Sequence, residues 1–220
     1  LKNKLTKRLY LIALLAGGIS TYGQNGKQLN SWFSGSIVVN KDHKFHQFEG
    51  VFKADDHFVL HANQGVFRYT FLSEVKPNCY IGGGLGLFDS RSSTLSNWQL
   101  EVRPFLQLNY TFLLHQWKVR FKYRSELRWY TVNGNDAWRN RFQIMGTRRI
   151  GKSPFSFFVS NELLVTLSNV RPWENRIQSG FQWELSDQSL VTWNYMLQMN
   201  QQKPLQHIVQ FSYLYRINIK

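Results

Sequence analysis

Between Gln116 and Tyr130 the chain runs QWKVRFKYRSELRWY. Taken at every second residue, one face carries Trp117, Val119, Phe121, Tyr123, Ser125, Leu127 and Trp129, and only Ser125 is polar. The face between them carries Lys118, Arg120, Lys122, Arg124, Glu126 and Arg128, all charged. A period of two is the signature of a β-strand whose faces meet different surroundings. Globular strands usually stop at about five or six residues. Here Trp117 and Trp129 are separated by roughly 40 Å of strand at ~3.3 Å per residue. Tilted by ~40°, that length becomes close to the height of the ~25 Å apolar band and aromatic girdles of an outer-membrane barrel. A long wall that is apolar outside and charged inside is what such a barrel requires.

The rest of the chain repeats the alternation between breaks rich in turn residues. The runs are Trp32–Val39, Lys44–Ala54, His61–Phe71, Cys79–Phe88, Trp98–Phe112, the stretch above, Trp138–Ile150, Phe155–Val165, Trp173–Leu185, Leu190–Asn200 and Leu205–Lys220. In the middle of the chain, short breaks (113–115, 151–154, 186–188) alternate with longer ones (89–97, 131–137, 168–172), as periplasmic turns and extracellular loops should. The break at 201–204 belongs with the loops by parity although it is short. These features predict an all-β fold, a single antiparallel transmembrane β-barrel of about ten to twelve strands. The ten runs from Lys44 onward close with even parity. Trp32–Val39 is then either half of a further hairpin, giving twelve strands, or a segment outside a ten-stranded barrel. Pro104 in a strand centre predicts a bulge or a break in the ladder, and Phe105 departs from the alternation as an apolar residue on the polar face.

Composition agrees with a barrel. Aromatics reach 16%, yet mean hydropathy is −0.37, because apolar and polar residues alternate and cancel. No run of eighteen apolar residues is present, so no conventional transmembrane helix is expected. Residues 1–23 have the form of a signal peptide: Lys2, Lys4, Lys7 and Arg8, then the apolar Leu9–Ala16, then the small-x-small site Thr21-Tyr22-Gly23 before Gln24. The expected organisation is a leader over 1–23 and a barrel over 24–220. The single cysteine, Cys79, excludes an internal disulfide framework and a multi-cysteine zinc site. The net charge of +14 is spread over alternate strand positions rather than clustered, which argues against nucleic acid as a partner.

The candidate site is the polar face. Glu101, Arg103, Lys118, Arg120, Lys122, Arg124, Glu126, Arg128, Arg139, Arg141, Glu162, Glu174, Arg176 and Glu184 all oppose the aromatic faces, and in a barrel they point into the lumen. One interpretation is a basic passage or cavity for a small anionic solute. The other is a network of Arg–Glu pairs that fills a narrow lumen and holds it shut. The cationic excess on Lys118–Arg128 is what a closed network explains least. No cofactor or metal is expected: His57 and His61 lie ~13 Å apart along a strand, too far to share an ion. An outer-membrane lipid hydrolase is a third interpretation, with Ser160, Glu162 and His207 as candidates, but no GxSxG or HExxH motif accompanies them. Gly82-Gly83-Gly84 and Gly86 lack the GK[ST] of a phosphate loop and are better suited to bending a strand.

Several of these stretches carry a resemblance. They are the leader ending at Gly23-Gln24, Trp32, the glycine-rich Tyr80–Phe88, the alternating Glu101-Val102-Arg103 and Tyr123-Arg124-Ser125-Glu126-Leu127-Arg128, and Trp173-Glu174-Asn175-Arg176. Together they resemble the DUF2490 proteins of Bacteroidetes-type bacteria over nearly the whole mature chain. The resemblance implies an outer-membrane barrel and supplies no catalytic residues. The expected surroundings are outer-membrane lipid on the outside and a small anionic solute within. A closed barrel that is structural, or that binds partners through its loops, is the alternative. Oligomeric state is not legible from these residues.

Overall fold

A computed structural model describes residues 29–54, 62–91, 98–131, 136–167, 173–201 and 205–219. The leader assigned to 1–23 lies outside the described residues. Eleven strands are described: β1 (Leu29–Lys41), β2 (Lys44–Ala54), β3 (Ala62–Lys76), β4 (Cys79–Arg91), β5 (Trp98–Leu114), β6 (Trp117–Tyr130), β7 (Ala137–Arg149), β8 (Phe155–Leu167), β9 (Trp173–Ser186), β10 (Ser189–Asn200) and β11 (Gln206–Asn218). Each sequence neighbour pairs antiparallel, and the sheet closes into a barrel. All-β architecture and closure are as expected, and the strand count falls inside the predicted range.

Parity is where sequence and structure differ. The run around Trp32 is neither an extra segment nor half of a further hairpin. It is the eleventh stave, longer than its alternation suggested, paired antiparallel with β2 and parallel with β11. An odd number of up-and-down strands leaves the first and last running the same way, so only a parallel ladder can close them. That ladder is continuous from Leu29 opposite His207 to Asn40 opposite Asn218.

All five tight connections fall at one end, at 42–43, 77–78, 115–116, 150–154 and 187–188, and the strand ends flanking the other five connections fall at the opposite end. The break at 201–204 therefore joins the loops, as parity required. Asp42 and His43 both have positive φ (47° and 61°), the backbone of a two-residue hairpin turn matched to strand twist. Pro77-Asn78 supplies a fixed φ followed by a positive one (63° at Asn78).

The outward face is apolar and aromatic. Phe33, Phe211 and Trp193 stack across three strands, with centroids 5.9 and 6.3 Å apart. Phe155 stacks on Trp183 at 5.4 Å, and Phe157 meets Phe181 at 5.6 Å with the rings tilted by 60°. Polar groups on this face satisfy one another: Asn140 Oδ1 accepts from Tyr123 Oη at 2.8 Å and Ser125 Oγ at 3.0 Å, and Asn161 Nδ2 donates to Asn175 Oδ1 at 2.7 Å. With no water to compete in hydrocarbon, such pairing is the condition for polar groups to be tolerated.

Two local features shape the interior. Pro104 has no N–H, and the β5–β6 ladder skips from the Val102–Trp129 pair to the Phe105–Glu126 pair, the break its position predicts. In β4, a Cβ on Gly82 or Gly84 would strike the backbone oxygen of Phe71 or Tyr69 on β3. Only glycine lets β4 coil this tightly against β3. The space above Gly84 is taken by Phe105, whose ring would lie 2.6 Å from an added Cβ. The inward Phe105 thus fills the hollow left by the glycines and is 5% exposed.

Candidate functional site

The lumen is built by the strand alternation. Inward positions of neighbouring strands lie side by side in the register: Gln107 beside Arg124, Arg124 beside Arg141, Glu126 beside Arg139, Gln143 beside Glu162, and Glu162 beside Arg176. Thirteen of the fourteen charged residues singled out from the sequence lie along the lumen wall of β5 to β9, and Glu184 lies at the turn-end rim of β9, joined to Arg149 at 3.6 Å.

A belt of ion pairs crosses this wall. Arg124 reaches Glu126 at 3.6 Å, and Glu126 also accepts from Arg139 (2.5 and 3.0 Å) and Arg141 (3.0 Å). Arg141 passes on to Glu162 at 2.7 Å, Glu162 accepts from Arg176 at 3.2 Å, and Arg176 pairs with Glu174. The chain of contacts spans β6, β7, β8 and β9 without interruption. Beside it, Glu101 takes Arg103 in a two-pronged contact (2.6 Å each) and Arg128 at 2.5 Å. The fork geometry of guanidinium on carboxylate makes these strong, directional contacts. Glu126 is 1% exposed and Glu162 is 2% exposed, so the carboxylates are sealed in.

Sequence reasoning missed part of the belt. Arg68 on β3 pairs with Glu49 on β2 at 2.5 Å, and the ammonium of Lys53 lies 4.1 Å from the centre of the Trp32 ring. Trp32 faces inward and also underlies Arg176 at 5.4 Å. Arg103 stacks on Phe88 at 3.5 Å and Arg124 on Phe105 at 4.2 Å. The inward aromatics are therefore platforms for guanidinium groups, a contact worth about 0.5–2 kcal/mol depending on desolvation. The parity of Glu49, Gln47 and Lys53 was a usable signal, obscured by the adjacent Phe45 and His46, of which only the histidine faces out, toward Tyr69 Oη at 2.8 Å.

The belt has more donors than acceptors. Seven arginines (68, 103, 124, 128, 139, 141, 176) share five carboxylates (49, 101, 126, 162, 174). Among the described residues, Arg124 Nη1 and Arg176 Nε are buried without a hydrogen-bond partner. Toward the turn end, Lys118 and Arg120 are exposed to the lumen and Lys122 is half-buried, and no ion pair to any of the three occurs among the described residues.

The hydrolase candidates are not brought together. Ser160 lines the lumen and accepts from Gln143 at 3.2 Å, and Glu162 is held by two arginines. His207 is on the outer face of β11, bonded to Tyr195. His57 and His61 lie outside the described residues, and among the described residues no group of His, Cys, Asp and Glu is placed to hold a metal.

Among solved structures the chain is similar to the outer-membrane expressed OmpT of Vibrio cholerae, at 9% identity and a TM-score of 0.46, covering 74% of this chain and 53% of that one. It is also similar to an anion-selective porin from Comamonas acidovorans, at 12% identity and a TM-score of 0.42, covering 79% and 52%. The chain thus spans about half the length of these structures. No curated protein matches it. The family description "Protein of unknown function (DUF2490)" matches residues 29–208, and the chain belongs to that family.

Proposed function

We propose that this protein sits in the bacterial outer membrane and uses a basic lumen to take in small anionic solutes from its turn end, with the Arg–Glu belt closing the passage toward the loop end. Lipid-facing aromatics and a charged interior support the location. The carrying observation is the charge imbalance of the lumen: among the described residues, seven belt arginines share five carboxylates, and Lys118, Arg120 and Lys122 have no ion pair. A cationic lining with low-dielectric walls favours anions over cations throughout its length.

Planar-bilayer recording tests the reading. The closed belt predicts little steady current for the wild-type chain. Glu126→Gln combined with Glu162→Gln frees the belt arginines and makes the lumen more positive, so the current that appears should reverse at a potential set by the anion gradient. Cation selectivity in either protein refutes the reading. A second reading, a closed barrel that serves as a structural or partner-binding platform, is favoured by the burial of the belt itself. It predicts no current from either protein at any salt concentration.

A further inference from the structure

Lys118, Arg120 and Lys122 occupy alternate lumen positions of β6, spaced by ~6.6 Å at about 3.3 Å per residue. Their register neighbours are Leu113, Thr111 and Asn109 on β5 and Thr147, Met145 and Gln143 on β7, and none is acidic. Arg120 donates to the sulfur of Met145 at 3.1 Å, a weak acceptor for a guanidinium. Lys122 lies between Asn109 and Gln143, and the Oε1 of Gln143 is buried without a hydrogen-bond partner. Glu162 lies beyond Gln143 on β8, but its oxygens are taken by Arg141 and Arg176. The rim carboxylates are engaged too: Glu74 by His43 at 2.8 Å and by the Asn78 N–H at 2.9 Å, Glu184 by Arg149.

Three cations on one strand face, flanked by two amides, two hydroxyls and two apolar side chains, are an arrangement that lacks a paired counter-charge among the described residues. Like charges this close repel. Long side chains on a 6.6 Å spacing can converge on one group that offers several acceptor oxygens. Arg120 suits it as a two-pronged donor, while Lys118 and Lys122 act as point charges. Asn109, Gln143 and Thr111 can donate to the remaining oxygens.

We propose that Lys118, Arg120 and Lys122 form a binding site for a multiply charged oxyanion of the phosphate class, in the turn-end half of the lumen and separate from the belt. The site rests on the basic-lumen reading, but it does not require the barrel to conduct. The same phosphoryl chemistry could come from a free solute or from a lipid headgroup at the turn-end rim.

The test is calorimetric titration of inorganic phosphate into the full chain, in neutral detergent at low salt and in lipid discs. Saturable binding that weakens as ionic strength rises is expected. The variant K118Q/R120Q/K122Q should weaken it at least tenfold, R120K should retain part of it, and R149Q at the rim should leave it unchanged. Retention of the heat-dependent gel shift shows that each variant is folded. In discs, binding retained with phosphatidylcholine but abolished by phosphatidic acid assigns the site to a lipid head. Binding retained with both assigns it to a free solute. Unaltered phosphate binding by the triple variant overturns the proposal, as does the absence of saturable binding in detergent and in both kinds of disc. Binding without anion current keeps the site and removes the passage, whereas anion current without saturable binding does the reverse.

Discussion

Glu126 is the residue on which the belt depends most, and its removal can be assessed from the contacts it makes. Its carboxylate is 1% exposed and takes three hydrogen bonds, two from Arg139 and one from Arg141, with Arg124 at 3.6 Å. Glu126→Gln keeps the shape, removes the charge, and replaces one acceptor oxygen with an NH2 that faces guanidinium donors. Arg141 retains Glu162, but Arg139 loses its only ion pair among the described residues, and Arg124 is left with neutral partners, Gln107 and the Phe105 ring. Breaking a buried pair from one side costs about 3–5 kcal/mol, chiefly because the surviving charge stays buried. Urea unfolding in detergent, followed by tryptophan fluorescence and by the gel shift, measures the loss. Glu184→Gln is the internal control: it also breaks an Arg–Glu pair, but one whose side chains are 59% and 51% exposed, and such pairs are worth about 0–1 kcal/mol. The double variant E126Q/R139Q should lose less than the sum of its two single changes, since neither partner is then left alone. A Glu126→Gln barrel within about 1 kcal/mol of wild type would show that the lumen is wet enough to screen these charges, and would refute the belt as the closing element.

The glycines of β4 give a sharper structural test. Gly84→Ala forces a Cβ into the Tyr69 oxygen and the Phe105 ring, and should abolish the folded gel form, whereas Gly35→Ala, with nothing within 4 Å, should fold normally. Topology can be read on intact cells. The parallel seam puts Leu29 at the loop end and Asn218 at the turn end. A tag inserted just before Leu29 should therefore be reached by external antibody, while one after Lys220 should be reached only once the outer membrane is opened.

Much of this architecture was legible because alternation is a local property. β6 was found within a residue of its ends, since its charged and aromatic positions never exchange. Parity was not legible. Whether the run around Trp32 closes the barrel depends on β11, 178 positions away for the Leu29–His207 pair, and nothing local to either strand encodes the partner. The weak alternation of LNSWFSGSIVVNK hid the rest, because serine and glycine suit either face. The polar face was legible, but its pairing was not. Which arginine meets which carboxylate follows from cross-strand register, and among the tight turns that is set by the one at His115 between β5 and β6 (φ 54°) and the one at Gly151 between β7 and β8 (φ 58°). Phe105 showed itself in the sequence only as a lapse in the pattern. Its reason, the hollow over Gly84, lies on a different strand.

The odd strand count also bears on how the chain could be rewired. In a barrel with an even number of strands the two termini share an end, and a short loop could join them. Here the parallel seam places Leu29 and Asn218, the outer ends of β1 and β11, at opposite ends of the barrel. A circular permutant opened at a β-turn would need a linker running the length of a strand, roughly 40 Å for twelve residues at about 3.3 Å each. It would have to pass through a lumen already occupied by the arginine–glutamate belt, or lie in lipid as a twelfth strand. A linker with the alternation of β6 could take the second route by wedging between β1 and β11, exchanging the one parallel ladder for two antiparallel ones.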